Sequence, residues 1–326
     1  MSSPPGQGAS AGSAAPARGS GIFGAMHGFI SFLLEEGISA WVHLTGKRIH
    51  KGHEPWLAAP LGEKGRIGTS IYERIALAEN LGTRMPPSAG LIPDFNALRG
   101  PAFDPNTIRA EIRHFYEHAA LYHLDVWSEV SLIGRFFLWL LVEFISRRMD
   151  QLNFPISSLE VAKGMSSQVV QLVDRQSGVI RYTGWLRRLK SSGRVIYAGL
   201  YSTMRVPGEQ DPCVKVTFPC RGSANVYLRP VQHPDGSFGL DSSGSAFGRS
   251  GFYRIVASGA GHVRVRYVKT LHELFHVYVD AERVLRTDHK ISFLGLTILR
   301  LHYKMSLLPS AAAENEDTSA VTSASS

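Results

Sequence analysis

The sequence predicts an α+β protein, in which a helical N-terminal half precedes an antiparallel β-meander that forms a barrel-like or strongly curved sheet. Apolar residues recur at helical spacing before about residue 155, and the period becomes two after about residue 165. Short turn signals separate the alternating runs, which is typical of hairpins. We therefore divide the chain into four regions: a disordered tail at 1–20, a helical region at 21–155, a β-domain at 165–308 and a disordered tail at 309–326.

Three patterns predict the helices. The stretch from Ile71 to Leu81 has apolar residues on one helical face. A second helix is expected to begin at Asp104 and Pro105, where the acid caps the helix and proline fits its first turn, and to extend to Tyr122. The third follows from Val130 to Arg148, and Ile22–Leu44 has a similar apolar composition.

The most apolar run, Val130–Ile145, carries Arg135 and Glu143 and is shorter than the roughly 20 residues that a membrane span needs. We expect a buried or interfacial helix. Together with Ile22–Leu44 it could form a face that lies on a membrane surface, which is the alternative to packing of the two stretches on each other.

The β-domain is predicted from alternation, as in Val214, Val216 and Phe218, with turn signals such as Pro207-Gly208 and Pro234-Asp235-Gly236. We expect roughly eight to ten strands at this spacing. Helices followed by such a meander are similar in outline to the lipocalin-like or calycin class. Its Gly-x-Trp motif is not found, since Gly184 and Trp185 are adjacent.

The string His272-Glu273-Leu274-Phe275-His276 has the form H-E-x-x-H. On a helix, His272 and His276 would bind one zinc ion and Glu273 would activate water, which gives a zinc-dependent hydrolase as one alternative. On a strand, the two histidines would lie about 13 Å apart, from a rise of about 3.3 Å per residue, and could not share an ion. The β-branched and aromatic run Val277–Val279 favours the strand. In that case His272, His276 and Tyr278 share one face.

Large aromatic residues at alternating positions suggest a cavity that binds a small apolar or amphipathic ligand. No cofactor is expected, apart from zinc under the hydrolase alternative. The sequence leaves open whether the ligand is also transformed, and four residues are candidates for such acid/base chemistry: His272, Glu273, His276 and Tyr278. Five aromatic residues are the candidate ligand-binding residues: Trp185, Tyr197, Tyr201, Tyr253 and Tyr267.

The formal net charge of +8 favours contact with anionic surfaces. A membrane surface is an alternative partner, and nucleic acid is not expected to be one. The two cysteines, Cys213 and Cys220, flank a predicted strand and are too far apart for a disulfide. This composition fits a reducing, cytoplasmic compartment, with membrane association as the alternative. The oligomeric state is not predicted.

Overall fold

The structure of the chain is a computed structural model, and it describes residues 36–62, 70–129, 165–190, 193, 195–220 and 222–309. Three α-helices occur in these residues: α1 covers residues 36–45, α2 covers Ile71–Ala78 and α3 covers Ala110–Glu117. Short 3₁₀ turns connect the N-terminal elements, at Pro55–Leu57, Phe95–Leu98, Pro105–Thr107 and Ala119–Leu121.

Strands form about half of the described chain. The first three lie in the N-terminal half: β1 (Lys47–His50), β2 (Leu81–Arg84) and β3 (Tyr122–Glu129). The others follow in the C-terminal half: β4 (Met165–Asp174), β5 (Ile180–Leu189), β6 (Val195–Met204), β7 (Cys213–Cys220), β8 (Gly222–Gln232), β9 (Phe238–Asp241), β10 (Gly251–Ala257), β11 (His262–Val268), β12 (Leu271–Val279), β13 (Leu285–Phe293) and β14 (Leu296–Leu307).

All fourteen strands belong to one antiparallel sheet, with the main order β2-β4-β5-β6-β7-β8-β9-β12-β13-β14-β3. The sheet divides at β8. Its residues Ser223–Tyr227 pair with β10, and Arg229–Gln232 pair with β9, while β7 pairs along the other edge. We call β10, β11 and β1 the short branch, and β9, β12, β13, β14 and β3 the long branch.

The sheet is not closed, because β2 and β3 are the outermost strands of the main order and are not paired with each other in the described residues. The long branch nevertheless curls until β3 lies beside β4, and Val126 of β3 packs against the apolar cluster of Met165, Leu189 and Ile196. The antiparallel meander is therefore confirmed, whereas a closed, calycin-like outline is not observed.

The N-terminal half differs from the predicted helical region. The helix expected from Asp104 to Tyr122 begins instead with a 3₁₀ turn, which Asp104 caps, and α3 ends at Glu117. Tyr122 and Leu124 then alternate along β3, because their partner strand β14 offers backbone hydrogen bonds that the local pattern does not reveal. The helix expected at Ile71–Leu81 is confirmed over Ile71–Ala78. The predicted helix Val130–Arg148 and most of Ile22–Leu44 lie outside the described residues.

The largest apolar core lies between the inner face of the curled sheet and residues 89–121. Four aromatic rings contact one another there at centroid distances between 5.1 and 6.3 Å: Phe95, Phe103, Tyr116 and Phe238. A backbone hydrogen bond from Ile92 N to Tyr116 O, 3.0 Å long, ties the loop before them to α3. This packing covers one end of the curled sheet with α3.

Candidate ligand-binding site

A cavity of about 150 Å³ lies inside the curled sheet, next to α3. Its walls come from the inner face of strands on both sides of β8 in the sheet order, and from the N-terminal segment that covers the end of the sheet. Most of the wall is apolar, as illustrated by Leu91, Phe115, Leu124, Val216, Leu228 and Ile291. The curl of the long branch therefore encloses the space that a flat sheet would leave open.

The H-E-x-x-H segment forms the middle of β12, so the strand prediction is confirmed. Alternation places Glu273 on the inner face, where it lines the cavity. His272 and His276 point to the other face. His276 Nε2 lies 2.9 Å from Ser237 Oγ, and His272 Nδ1 lies 3.4 Å from Ser242 O. The helix that the zinc hydrolase alternative requires is absent here, and the described residues contain no group of side chains placed to hold a metal ion.

The outer face of β12 carries an aromatic row rather than a cavity. The rings of His276 and Tyr278 stack at 5.0 Å, and His233 meets His276 edge to face at 5.0 Å. Partial burial, and then the neighbouring His233, lower the pKa of His276 below its usual value. His272, His276 and Tyr278 are thus separated by the sheet from Glu273, with which the sequence analysis grouped them.

Inside the cavity, Glu273 faces His289 of β13. Glu273 Oε2 and His289 Nε2 are 3.6 Å apart, and both side chains are largely buried. The imidazole stacks on Phe275 with a centroid distance of 3.8 Å and an interplanar angle of 16°. Both ring nitrogens of His289 lack a hydrogen-bond partner in the described structure, which is uncommon for buried polar atoms.

Two tyrosines of β6 add a hydroxyl pair to the cavity wall. The hydroxyl oxygens of Tyr197 and Tyr201 are 2.7 Å apart, and both rings meet Trp185 edge to face. Burial raises the pKa of both tyrosines well above the usual value. The nearby carboxylate of Glu273 contributes in the same direction. These hydroxyls are therefore neutral donors and acceptors at any physiological pH.

Arg187 is a buried cation on the same wall, with 6% of its surface exposed. Its guanidinium carbon lies 5.3 Å from the ring centroid of Trp185 and 5.5 Å from that of Tyr303. Nη2 lies 3.6 Å from the sulfur of Met165. Among the described residues, no carboxylate lies within ion-pair distance of this side chain.

Tyr303 connects the two charged groups of the cavity. Burial raises its pKa above the usual value, while Arg187 acts in the opposite direction through its charge and a hydrogen bond. Glu273 raises the pKa again. The cavity thus contains a cation and a carboxylate at different points of one apolar wall, with a phenol hydroxyl near both.

Of the five aromatic residues predicted to bind ligand, Trp185, Tyr197 and Tyr201 line the cavity. Tyr253 and Tyr267 do not. On β10 it is Phe252 that lines the cavity, so the adjacent Tyr253 points to the opposite face of the sheet. Tyr253 and Tyr267 pack around Trp56, whose ring contacts that of Tyr253 at 5.2 Å. The second and smaller core formed there has no part in the cavity wall.

Arg187, His289 and Tyr303 were not among the predicted site residues. Each carries a signal that could have found it, since it lies two positions from an inward-pointing residue of its own strand and therefore shares that residue's face. Arg187 is two positions from Trp185, and His289 is two positions from Ile291. Polar residues in the buried register of a predicted strand were the pattern to search for.

Comparison with known proteins gives a distant similarity to the uncharacterized membrane protein YndJ of Bacillus subtilis (strain 168). The two are 25% identical over 219 residues, which cover 67% of this chain and 38% of that relative. The chain therefore corresponds to well under half the length of YndJ. No protein-family model and no solved structure matches the chain. No helix in the described residues is both long and apolar enough to cross a membrane.

Proposed function

We propose that this protein binds a small amphipathic molecule in the cavity between the curled sheet and α3. The observation that supports this proposal is the combination of an apolar wall with two buried polar groups. The ring nitrogens of His289 have no hydrogen-bond partner, and Arg187 has no carboxylate within ion-pair distance among the described residues. A buried polar atom without a hydrogen bond costs about 1–3 kcal/mol. A ligand that meets these groups would remove that cost when it binds.

The size of the cavity limits the ligand. A cavity of about 150 Å³ with apolar walls is on the scale that holds one benzene molecule. The expected ligand therefore has about six apolar carbon atoms inside the cavity and one polar end. A longer molecule would have to extend beyond the described wall.

Acid/base chemistry on the ligand is the extension of this proposal. The sequence pattern predicted His272, His276, Tyr278 and Glu273 for this role. We now assign it to Glu273 and His289, whose carboxylate oxygen and ring nitrogen lie 3.6 Å apart in the cavity wall. His272, His276 and Tyr278 have no access to the same space.

A membrane-associated location is the second part of the proposal, with the cytoplasm as the compartment. The description of YndJ as a membrane protein supports it, and so do two exposed leucines at the β13–β14 turn, Leu294 and Leu296, which are 62% and 51% exposed. Cys213, which is buried as a free thiol, fits a reducing compartment.

The test is a binding titration with 1-hexanol as the probe, followed by ligand-observed NMR, with wild-type protein and an Ala224→Leu variant. Ala224 lines the cavity, so the added carbon atoms of leucine occupy the space of the ligand. The same substitution at the exposed Ala257, also on a strand, is the matched control. We expect Ala224→Leu to weaken probe binding at least about tenfold, because a filled cavity leaves no room for the probe. A folded Ala224→Leu protein that binds the probe as wild type does would refute the proposal.

A further inference from the structure

The charged groups of the cavity identify the class of ligand more closely, and this inference rests on the proposed function. Arg187 is almost completely buried beside apolar side chains, and burial of an unpaired charge is strongly unfavourable. Its neighbours in the described residues are a thioether sulfur and two aromatic rings. These contacts hold the guanidinium in place without neutralising it.

We propose that the ligand is a small amphipathic carboxylate whose acid group pairs with Arg187 while its apolar body fills the cavity. A guanidinium presents its N–H donors in a planar fork that matches the two oxygens of a carboxylate. The rings of Trp185 and Tyr303 lie 5.3 and 5.5 Å from the guanidinium carbon and restrict the orientation of that fork.

Tyr303 supplies a further donor at the same place. Burial raises its pKa, so the phenol is neutral, and its ring centroid lies 5.5 Å from the guanidinium carbon of Arg187. A ligand carboxylate on Arg187 would therefore accept from a neutral hydroxyl as well. Thus the polar end of the site has a cation and a hydroxyl donor, both in a water-poor environment.

The carboxylate of Glu273 does not compete for Arg187, because these two side chains form no ion pair within 4.0 Å. Glu273 instead faces His289. The two ends of the cavity wall therefore differ: Arg187 attracts the acid group of the ligand, and Glu273 faces His289 rather than the guanidinium.

Matched ligands with the same six-carbon chain test this inference: hexanoate, 1-hexanol and hexylamine, each titrated at pH 7 by ligand-observed NMR. We expect wild-type protein to prefer hexanoate over 1-hexanol by about ten- to a hundredfold, which is the range for a charged hydrogen-bonded pair. Arg187→Met should abolish this preference, because it weakens binding of hexanoate far more than binding of 1-hexanol. The neighbouring Arg188 lies on the other face of β5 and is half-buried, so Arg188→Met is the matched control and should behave as wild type.

Arg187→Met should fold, since replacement of a buried charge by an apolar side chain is often neutral or stabilising. If it does not fold, Arg187→Lys serves instead, because lysine keeps the charge but loses the planar fork, and the preference for hexanoate should fall severalfold. Equal binding of the three ligands, excluded by Ala224→Leu, would overturn the carboxylate inference and leave the proposed function intact. No binding of any of them would overturn both.

Discussion

A buried lysine outside the cavity predicts how the free energy of unfolding depends on pH. Lys215 of β7 has none of its surface exposed, and its Nζ donates to the carbonyl oxygens of Trp56, at 3.1 Å, and Ala58. The ring centroid of Tyr227 lies 5.5 Å from Nζ. Burial lowers the pKa of Lys215 from 10.5 to about 7. The amine is thus about half protonated in the folded protein at neutral pH and fully protonated in the unfolded chain.

The sign of the pH effect follows from this depressed pKa. Between about pH 7 and 10.5 the unfolded chain binds the proton and the folded protein does not, so stability rises with pH. At pH 7 the cost of deprotonating this lysine on folding is about 4 kcal/mol, at 1.36 kcal/mol per pKa unit. At pH 10 about 1 kcal/mol remains. Lys215→Met removes the cost and also loses two hydrogen bonds, worth about 2 kcal/mol together.

We therefore expect Lys215→Met to be more stable than wild type by about 2 kcal/mol at pH 7, and less stable by about 1 kcal/mol at pH 10. Urea denaturation followed by circular dichroism from pH 6 to 10 measures both differences. Lys269→Met, at an exposed lysine, controls for the loss of one positive charge. A difference between variant and wild type that stays constant across this pH range would refute the reasoning.

Three further predictions concern single contacts. Tyr197→Phe should lower the free energy of unfolding by about 1–2 kcal/mol, because it leaves the hydroxyl of Tyr201 without its partner at 2.7 Å. The variant with phenylalanine at both Tyr197 and Tyr201 should lose less stability than the two single variants together, which a double-mutant cycle by urea denaturation measures. Gly222→Ala should destabilise the protein by at least about 2 kcal/mol more than Gly248→Ala in thermal unfolding. Both glycines have positive φ, +82° and +88°, but a Cβ at the first would lie 2.1 Å from a backbone oxygen of β10 and at the second would meet open space. Burial raises the pKa of the Cys213 thiol, so the thiol should resist iodoacetamide at pH 8 in the folded protein and react in urea. Mass spectrometry of the peptide that contains Cys213 detects the label, and rapid labelling of the folded protein would contradict the burial of this thiol.

The strand at residues 271–279 was predictable because its own composition decides it. Val277, Tyr278 and Val279 follow the H-E-x-x-H string directly, and β-branched and aromatic residues favour a strand over a helix. Alternation then gives the correct face for each side chain. The local sequence also placed Trp185, Tyr197 and Tyr201 at alternating positions of their strands, and all three line the cavity.

The pairing of distant strands was not predictable in the same way. Tyr253 has the same alternation as Tyr197, yet it lies in the short branch. The reason is that the first half of β8 pairs with β10 and its second half pairs with β9. No local pattern marks where a strand divides its partners. Likewise, Tyr122 fits a helical stripe as well as a strand, and only the hydrogen bonds to β14 decide between them.

The pairing of β3 with β14 also determines when the cavity can form during protein synthesis. The paired residues, from Arg300 with Glu129 to Leu307 with Tyr122, are at least 171 positions apart in the chain. A ribosome needs about 10 to 30 s to add that length, at roughly 5–20 residues per second. During this time Leu124 and Val126 of β3, which line the cavity, have no strand to pair with, because β14 is not yet synthesised. The cavity is consequently among the last features to form during synthesis, because Tyr303 and Met305 of its wall belong to β14.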